Sequence, residues 1–411
     1  ARRRCELRWC ASGARERVEE WETAASAGDG EVARVTAGAD IGETGEHGPD
    51  GAAGGGVDRL GPSAGSPAAG SGPGEPGGRA VVEIRLVSRP EGLPGPENFA
   101  RAETTLAPPG EGEVELRTLW LSVDPYMRGR MRDVRSYVPP FALDAPLAGG
   151  GIGEVVRSND PSFSPGDLVL GNLRWRTYDV VPARHLERLR PEGVGPEKYL
   201  GVLGMPGMTA YVGLLDIGKL REGDVVLVSG AAGAVGSAAG QIAKQRGCRV
   251  IGTAGGSAKV AYLERLGFDA AIDYRAAPDL RRAVHDAAPE GIDVYFDNVG
   301  GAHLEAALWA MRDFGRVVLC GAISSYNDTA PTPGPTNLSL AIGRRLRLEG
   351  FIVSDHVERR AAFLADMEAW VRNGAVRADE TVVEGLEAAP DAFVGLFRGD
   401  NVGKMLVRVA S

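Results

Sequence analysis

The chain has 411 residues, which suggests two or three domains and ample material for a sizeable core. Its formal net charge of -9 argues against a general nucleic-acid surface, and no apolar run approaches the ~18 residues of a membrane span. The four cysteines, Cys5, Cys10, Cys248 and Cys320, form no C-x-x-C pair and no set with metal spacing, so neither a disulfide framework nor a structural zinc site is indicated and a reducing cytosol is the default compartment.

Residues Ala1 to Gly78 differ from all that follows. From Gly42 onward this segment is dense in Gly, Pro, Ala and Ser and nearly lacks large apolar side chains. Such a stretch cannot offset its ordering entropy by burial, so residues 1–78 are expected to be a disordered tail. The opening ARRRCELRW is basic but has no apolar core, unlike a secretory signal, and Glu16, Glu19 and Glu20 count against a transit peptide. A short helix around Ala14 to Ala25 would have little to pack on.

Order is expected from Ala80. Val81, Val82, Ile84 and Leu86 are strand-like, and Glu113 to Val123 alternates as a second strand. Pro94, Pro96, Pro108 and Pro109 mark the interval between them as loop. After VDPYMRGRM (Val123 to Met131) come strands at Gly149–Val156, Leu168–Gly171 and Thr177–Val181, with a turn at Ser164-Pro165-Gly166-Asp167. Short strands at this spacing suggest a small β-barrel-like domain.

From Leu200 the pattern changes. Gly201 to Gly218 has helical apolar spacing. Strands at Val225–Ser229, Arg249–Thr253, Ala270–Ile272, Ile292–Phe296 and Arg316–Leu319 then alternate with helices ending near Arg246, at Ser257–Leu266, near Leu280–Ala287 and at His303–Met311. Alternation of this kind implies α/β architecture, a parallel sheet with helices on both faces. Leu346–Val353 adds a strand, Arg359–Val371 is helical, and Val402–Val409 is a last strand expected to rejoin the first domain.

The stretch VVLVSGAAGAVG, Val225 to Gly236, joins a buried strand to a helix through Gly230, Gly233 and Gly236. The spacing is G-x-x-G-x-x-G rather than the strict G-x-G-x-x-G, since Ala231 and Ala232 occupy the middle. Small residues admit a pyrophosphate and free N–H groups at the helix start bind it; the bland alternative is a Gly/Ala-rich turn without ligand. An acid about 20 residues beyond the glycines usually takes the adenine ribose hydroxyls. Here the second strand ends Thr253-Ala254-Gly255-Gly256-Ser257, with Lys259 nearby and Tyr274 and Arg275 after the third strand. A missing acid beside a cation favours a 2′-phosphate, hence NADPH over NADH; alternatively Lys259 is a solvated helix lysine.

Between Ala80 and Leu200 there is no cysteine and the only histidine is His185, so no metal site is expected. No G-x-S-x-G occurs. Hydride transfer to an isolated ketone is hard without a metal, whereas an enone accepts hydride at its β-carbon and spreads the charge to oxygen. A neutral donor then suffices. Tyr126 in VDPYMR and Tyr326 in CGAISSYN are the candidates, each weighed against a half-buried structural tyrosine. Tyr326 follows the last parallel strand, where ligands lie in such sheets.

Taken together, VDPYMRGRM, LGMPGMTAY, AAGAVGS, FDNVGG, CGAISSYN and GDNVGKMLV resemble the zinc-independent medium-chain dehydrogenase/reductase family of prostaglandin reductases, plant alkenal double-bond reductases and bacterial curcumin reductases. The resemblance covers Ala80 to Ser411. It implies a Rossmann doubly wound parallel sheet plus a GroES-like (chaperonin-10-like) β-barrel catalytic domain, NADP(H), and reduction of α,β-unsaturated aldehydes and ketones. The implied domains are 79–205 (catalytic, first part), 206–350 (nucleotide-binding) and 351–411 (completion of the catalytic domain). By matching position, the pyrophosphate turn is Gly233, Ala234, Val235 and Gly236. Lys259 and Tyr274 fall at the 2′-phosphate, and Asn298 is the cofactor asparagine. Cys320, Gly321, Ala322, Ile323 and Tyr326 run along the nicotinamide half. Phe351, Ile352 and Val353 approach the carboxamide, and Asn401 is the last contact. Tyr326 matches the tyrosine proposed to donate to the substrate oxygen or reprotonate the α-carbon. The implied assembly is a homodimer acting on a small enone or enal, with no nucleic-acid or membrane partner. A quinone reductase, and an NADPH-binding interaction protein whose tail is the functional part, are the alternatives.

Overall fold

The structure, a computed structural model, describes residues 78–191 and 193–410. The expected disorder of the tail, and the helix near Ala14, lie outside the described residues.

Eight residues of alternating character make β1 (Arg79–Leu86), and β2 (Phe99–Leu106) pairs with it antiparallel from Arg79↔Leu106 to Leu86↔Phe99. The prolines around β2 argue for loop, yet FARAETTL is a half-exposed edge strand. It is held by its backbone ladder to β1 rather than by a buried apolar face. The chain continues through β3 (Glu113–Ser122), β4 (Ala145–Pro146), β5 (Ala148–Ser158), β6 (Leu168–Arg174), β7 (Tyr178–Pro182) and β8 (Glu187–Arg188). VDPYMRGRM leaves β3 and forms a short helical turn, Met127–Arg130.

Helix α1 (Met205–Val212) runs into a π-turn at Gly213–Ile217. Gly213 is required there, because an added Cβ would lie 2.6 Å from Phe296. Then β9 (Val225–Val228), α2 (Ala234–Gln245), β10 (Arg249–Ala254), α3 (Ser257–Arg265), β11 (Ala270–Asp273), α4 (Leu280–Ala287), β12 (Ile292–Asp297), α5 (Gly301–Ala310), β13 (Met311–Leu319) and β14 (Arg347–Gly350) build the α/β unit. Its six strands are all parallel, in the order β11-β10-β9-β12-β13-β14. β9 reads VVLV and is buried throughout, as a strand covered by helices on both faces must be. The sheet reverses winding between β9 and β12, the position at which ligands bind in doubly wound folds.

The strand expected to extend to Val353 stops at Gly350, where the ladder to β13 ends, and a 3-10 turn begins at Val353. After α6 (Arg360–Arg372) come β15 (Glu380–Glu384) and α7 (Ala389–Arg398), which the periodicity alone leaves unassigned, and finally β16 (Lys404–Arg408). β16 lies between β15 and β3, antiparallel to β3 with Leu406 opposite Ser122. The last strand therefore returns to the first β-rich layer. One apolar core joins Ile152 and Leu406 of that layer to Val226, Val228 and Phe296 of the parallel sheet.

Candidate functional site

The carboxyl end of β9 opens into the glycine turn. Gly230 has φ +57°, a left-handed conformation suited to glycine. A Cβ at Gly236 would sit 2.4 Å from the Gly230 carbonyl oxygen, so this position is fixed by the turn itself. Gly233 differs. Its backbone is extended, and a Cβ there would meet only the Gly230 oxygen at 3.4 Å. Packing within the protein leaves room for a side chain at Gly233, which is space that a pyrophosphate can use. No side chain caps α2, so the first-turn N–H groups of Ala234, Val235 and Gly236 remain for an anion.

Next to the turn stands Asp297, at the end of β12 and 1% exposed. Its Oδ1 accepts from Ser229 Oγ (3.0 Å), Tyr295 OH (2.7 Å), Val299 N (3.0 Å) and Gly300 N (2.8 Å). Four donors replace the water that this carboxylate has lost. Asn298 Nδ2 donates to the Ser229 carbonyl at 2.7 Å. The expected cofactor asparagine thus also braces the end of β9. Asp297 lies in FDNVGG, but its role as the hub of this network depends on contacts 68 residues apart in the chain, which no local motif encodes.

Arg275 lies beside both Lys259, on the first turn of α3, and Tyr274, just after β11. A Cβ added at Gly399 would lie 3.4 Å from both Lys259 Nζ and Arg275 Nη2, and one at Gly255 would lie 3.0 Å from Tyr274 OH and 2.8 Å from Arg275 Nε. Burial, then the neighbouring Arg275 charge, lowers the Lys259 pKa. Arg275 Nη2 donates to the Arg398 carbonyl (3.0 Å), which aims the guanidinium. The carboxylate of Asp273 is already engaged, accepting from the backbone N–H groups of Gly256 (2.9 Å) and Arg275 (3.0 Å). Two converging cations with a phenol suit a phosphate monoester. The His303 ring packs edge-on against Tyr274 at 4.9 Å and fixes its plane.

The backbone after β13 turns over the Asp297 carbonyl, which accepts from Cys320 N (2.9 Å) and Gly321 N (3.0 Å). Burial pushes the Cys320 thiol up to about 12, so it is a neutral wall and not a nucleophile. Tyr326 folds back so that its hydroxyl oxygen accepts the Ala322 N–H at 3.2 Å. Its proton stays free to be donated. Burial raises the Tyr326 pKa, and the Ala322 N–H opposes that rise. Burial and then the Asp124 charge raise Tyr126, while Arg130 pulls it back. The segment that carries Tyr126 reaches the Tyr326 loop directly, since Arg132 Nη2 donates to the Tyr326 carbonyl at 2.9 Å.

Asp124 is held by a buried ion pair: Lys404 Nζ lies 3.1 Å from its Oδ1 and also donates to the Val123 (2.7 Å) and Met405 (3.0 Å) carbonyls. The preceding residue, Gly403, donates its N–H to the Ala232 carbonyl of the glycine turn at 2.8 Å. Asn401 is buried beside it, with Nδ2 donating to the Gly403 carbonyl (2.8 Å). Phe351, Ile352 and Val353 are half-buried, with Phe351 against Gly213 and His356. Among the described residues no group of three or more His, Cys, Asp or Glu is placed to hold a metal ion, and no helix is long and apolar enough to cross a membrane.

Known proteins share this arrangement. A family model described as the N-terminal domain of oxidoreductase matches residues 82–189, and one described as zinc-binding dehydrogenase matches 234–369. The NADPH-dependent curcumin reductase of Escherichia coli is 46% identical over 331 residues, 79% of this chain and 96% of that protein. Prostaglandin reductase 1 of Rattus norvegicus is 44% identical over 324 residues, 77% of this chain and 96% of that protein. The crystal structure of CurA in complex with NADPH from Vibrio vulnificus superposes with a TM-score of 0.77 at 43% identity, covering 80% of this chain and 99% of that one. With the doubly wound sheet and its glycine turn in place, the chain belongs to the zinc-independent medium-chain dehydrogenase/reductase family that includes the curcumin and prostaglandin reductases.

Proposed function

We propose that the protein reduces the carbon–carbon double bond of α,β-unsaturated ketones and aldehydes with NADPH. The observation that carries this reading is Tyr326, whose hydroxyl is held by the Ala322 N–H just after the parallel strand β13, in a sheet whose glycine turn is left open at Gly233. The residues also fit the nucleotide: Gly233 to Gly236 take the pyrophosphate, Lys259, Arg275 and Tyr274 the 2′-phosphate, and Cys320 to Ile323 flank the nicotinamide. When bound, NADPH supplies a hydride for the β-carbon.

The protein's own part is to hold the substrate oxygen and manage one proton. Tyr326 donates its O–H to that oxygen as negative charge develops there, which lowers the barrier most when the donor is preorganised. The Ala322 N–H at 3.2 Å keeps the phenol oriented and makes it a stronger acid than burial alone would leave it. One hydride at the β-carbon and one proton at the α-carbon then account for the two hydrogens gained. Tyr126, steadied by Arg130, is the second donor.

Residues 79–205 and 351–411 form the catalytic domain in this reading, and 206–350 the nucleotide domain. The enzyme is cytosolic, in keeping with its free Cys248 and Cys320. It acts as a homodimer joined through β14, which pairs on one side only and lies near Ile342, 81% exposed, and Leu338, 48% exposed.

The test is a substrate panel. Purified protein is mixed with NADPH and a series of enones, enals and quinones, and nucleotide absorbance is followed. Faster loss with enones and enals supports the reading. Faster loss with quinones assigns a quinone reductase instead. No loss with any of them leaves a nucleotide-binding protein without turnover.

A further inference from the structure

Two arginines of the VDPYMRGRMR segment reach across to the loop that carries Tyr326. Arg132 Nη2 donates to the carbonyl oxygens of Tyr326 (2.9 Å) and Asp328 (2.8 Å). Arg128 Nε donates to Asn327 Oδ1 (2.9 Å), and its Nη2 donates to the Gly92 (2.7 Å) and Pro90 (3.2 Å) carbonyls. Gly92 itself packs against this loop, since a Cβ there would meet the Asn327 oxygen and Thr329 Cγ2 at 3.8 Å each.

Arg128 is 1% exposed. Each of these partners is an uncharged oxygen, and Nη1 finds no partner among the described residues. A buried guanidinium without a counter-ion is destabilising, so stability does not explain its presence. Its rigid fork does something a hydrocarbon cannot: one side chain ties two segments, Pro90–Gly92 and the loop at Asn327, to its own. The loop needs such anchors. Thr329 to Gly334 are exposed and rich in proline and threonine, with little apolar surface to hold them.

We propose that Arg128 and Arg132 are positioning residues that clamp Tyr326, Asn327 and Asp328 of the nucleotide-binding unit onto the catalytic layer. They thereby set the place of the Tyr326 hydroxyl over the reacting carbonyl. The phenol is fixed at its tip by Ala322 N–H and at its backbone by Arg132. The effect on turnover rests on the enone-reductase reading; the clamp itself does not.

The experiment compares Arg132→Ala and Asn327→Ala with the unaltered enzyme in three readouts: kinetics with a 2-enal, NADPH affinity by fluorescence titration, and amide hydrogen exchange. The clamp predicts a kcat about 10²-fold lower, the loss typical of a misplaced catalytic group. NADPH affinity is to stay within about twofold, as for an interaction realised at the chemical step. Exchange is to quicken from Tyr326 to Thr332 and nowhere else. Arg132→Lys, or free guanidinium added to Arg132→Ala, is to restore part of the rate, which a merely structural role would not allow. Unchanged exchange in the loop overturns the proposal, as does loss of NADPH affinity with exchange quickened through the whole fold. If the unaltered enzyme turns over no enal while Arg132→Ala still quickens the loop, the clamp stands and the reductase reading falls.

Discussion

At the scale of the residue, the site depends on a few groups whose protonation and charge are set by their surroundings. Tyr326→Phe removes the donated proton and leaves the nucleotide contacts in place. Turnover is expected to fall by about 10²- to 10⁴-fold, the usual range for a lost acid, with NADPH affinity unchanged. Burial holds the Tyr326 hydroxyl above its ordinary value, so the protonated form persists to higher pH than in a free tyrosine. The sign follows directly: the working form is the neutral phenol, and the alkaline fall in kcat is expected above pH ~10. A pH–rate profile with a tyrosine limb below that point would contradict the assignment. Lys259→Ala and Arg275→Ala are each expected to weaken NADPH about tenfold or more and leave NADH binding unchanged, because a charge-assisted hydrogen bond contributes about 1.5–3 kcal/mol. Titration with both nucleotides separates this from a general loss of the fold. The pair of cations was half legible in the sequence. Lys259 stands out because no acid follows the second strand, whereas Arg275 acquires a role only when α7 brings Arg398 and Gly399 beside it.

At the scale of the element, the strand–turn–helix from β9 to α2 separates two uses of glycine. Gly236 is needed by the packing of the turn, whereas packing leaves Gly233 free, and the proposed function assigns that space to the ligand. Gly236→Ala pushes a methyl group to within 2.4 Å of a carbonyl oxygen and is expected to destabilise the fold by about 1–3 kcal/mol, as overpacking does. Gly233→Ala is expected to leave the melting temperature nearly unchanged and to weaken NADPH. Equal melting temperatures for the two variants, or equal affinities, would sink the distinction. The turn was readable from its spacing because strand, glycines and helix are local in the chain. β2 and β15 were not, because their stability comes from partner strands: β2 is an edge beside β1, and β15 lies parallel to β16, which follows it by twenty residues. The end of β14 was missed by three residues, since Phe351, Ile352 and Val353 have strand propensity but no ladder to join.

At the scale of the whole molecule, two layers meet over a shared apolar core, and the return of β16 to β3 carries Lys404 to Asp124. Through Gly403 the same segment touches the glycine turn. The glycine turn and the VDPY segment are thereby bridged by two consecutive residues, Gly403 and Lys404, which gives a short physical route between them. The proposed dimer is tested at this scale by Ile342→Asp. A charge at an apolar interface is expected to shift the protein from dimer to monomer in sedimentation, and a monomer in both forms would remove the dimer from the reading.

The sequence by itself determined the layered α/β architecture, the strand–glycine-turn–helix unit, the missing acid and the two candidate tyrosines. Each of these is carried by neighbours in the chain, by periodicity, or by the absence of a residue type. Only the tertiary structure decided that Arg275 joins Lys259 beside Gly399 and that Asp297 organises the turn. It also placed Arg128 and Arg132 on the Tyr326 loop. Those groups lie 68 to 199 residues from partners they touch. Hydrogen bonds and ion pairs act over a few ångströms, and separations of that kind are set by how sheets close, not by spacing along the chain.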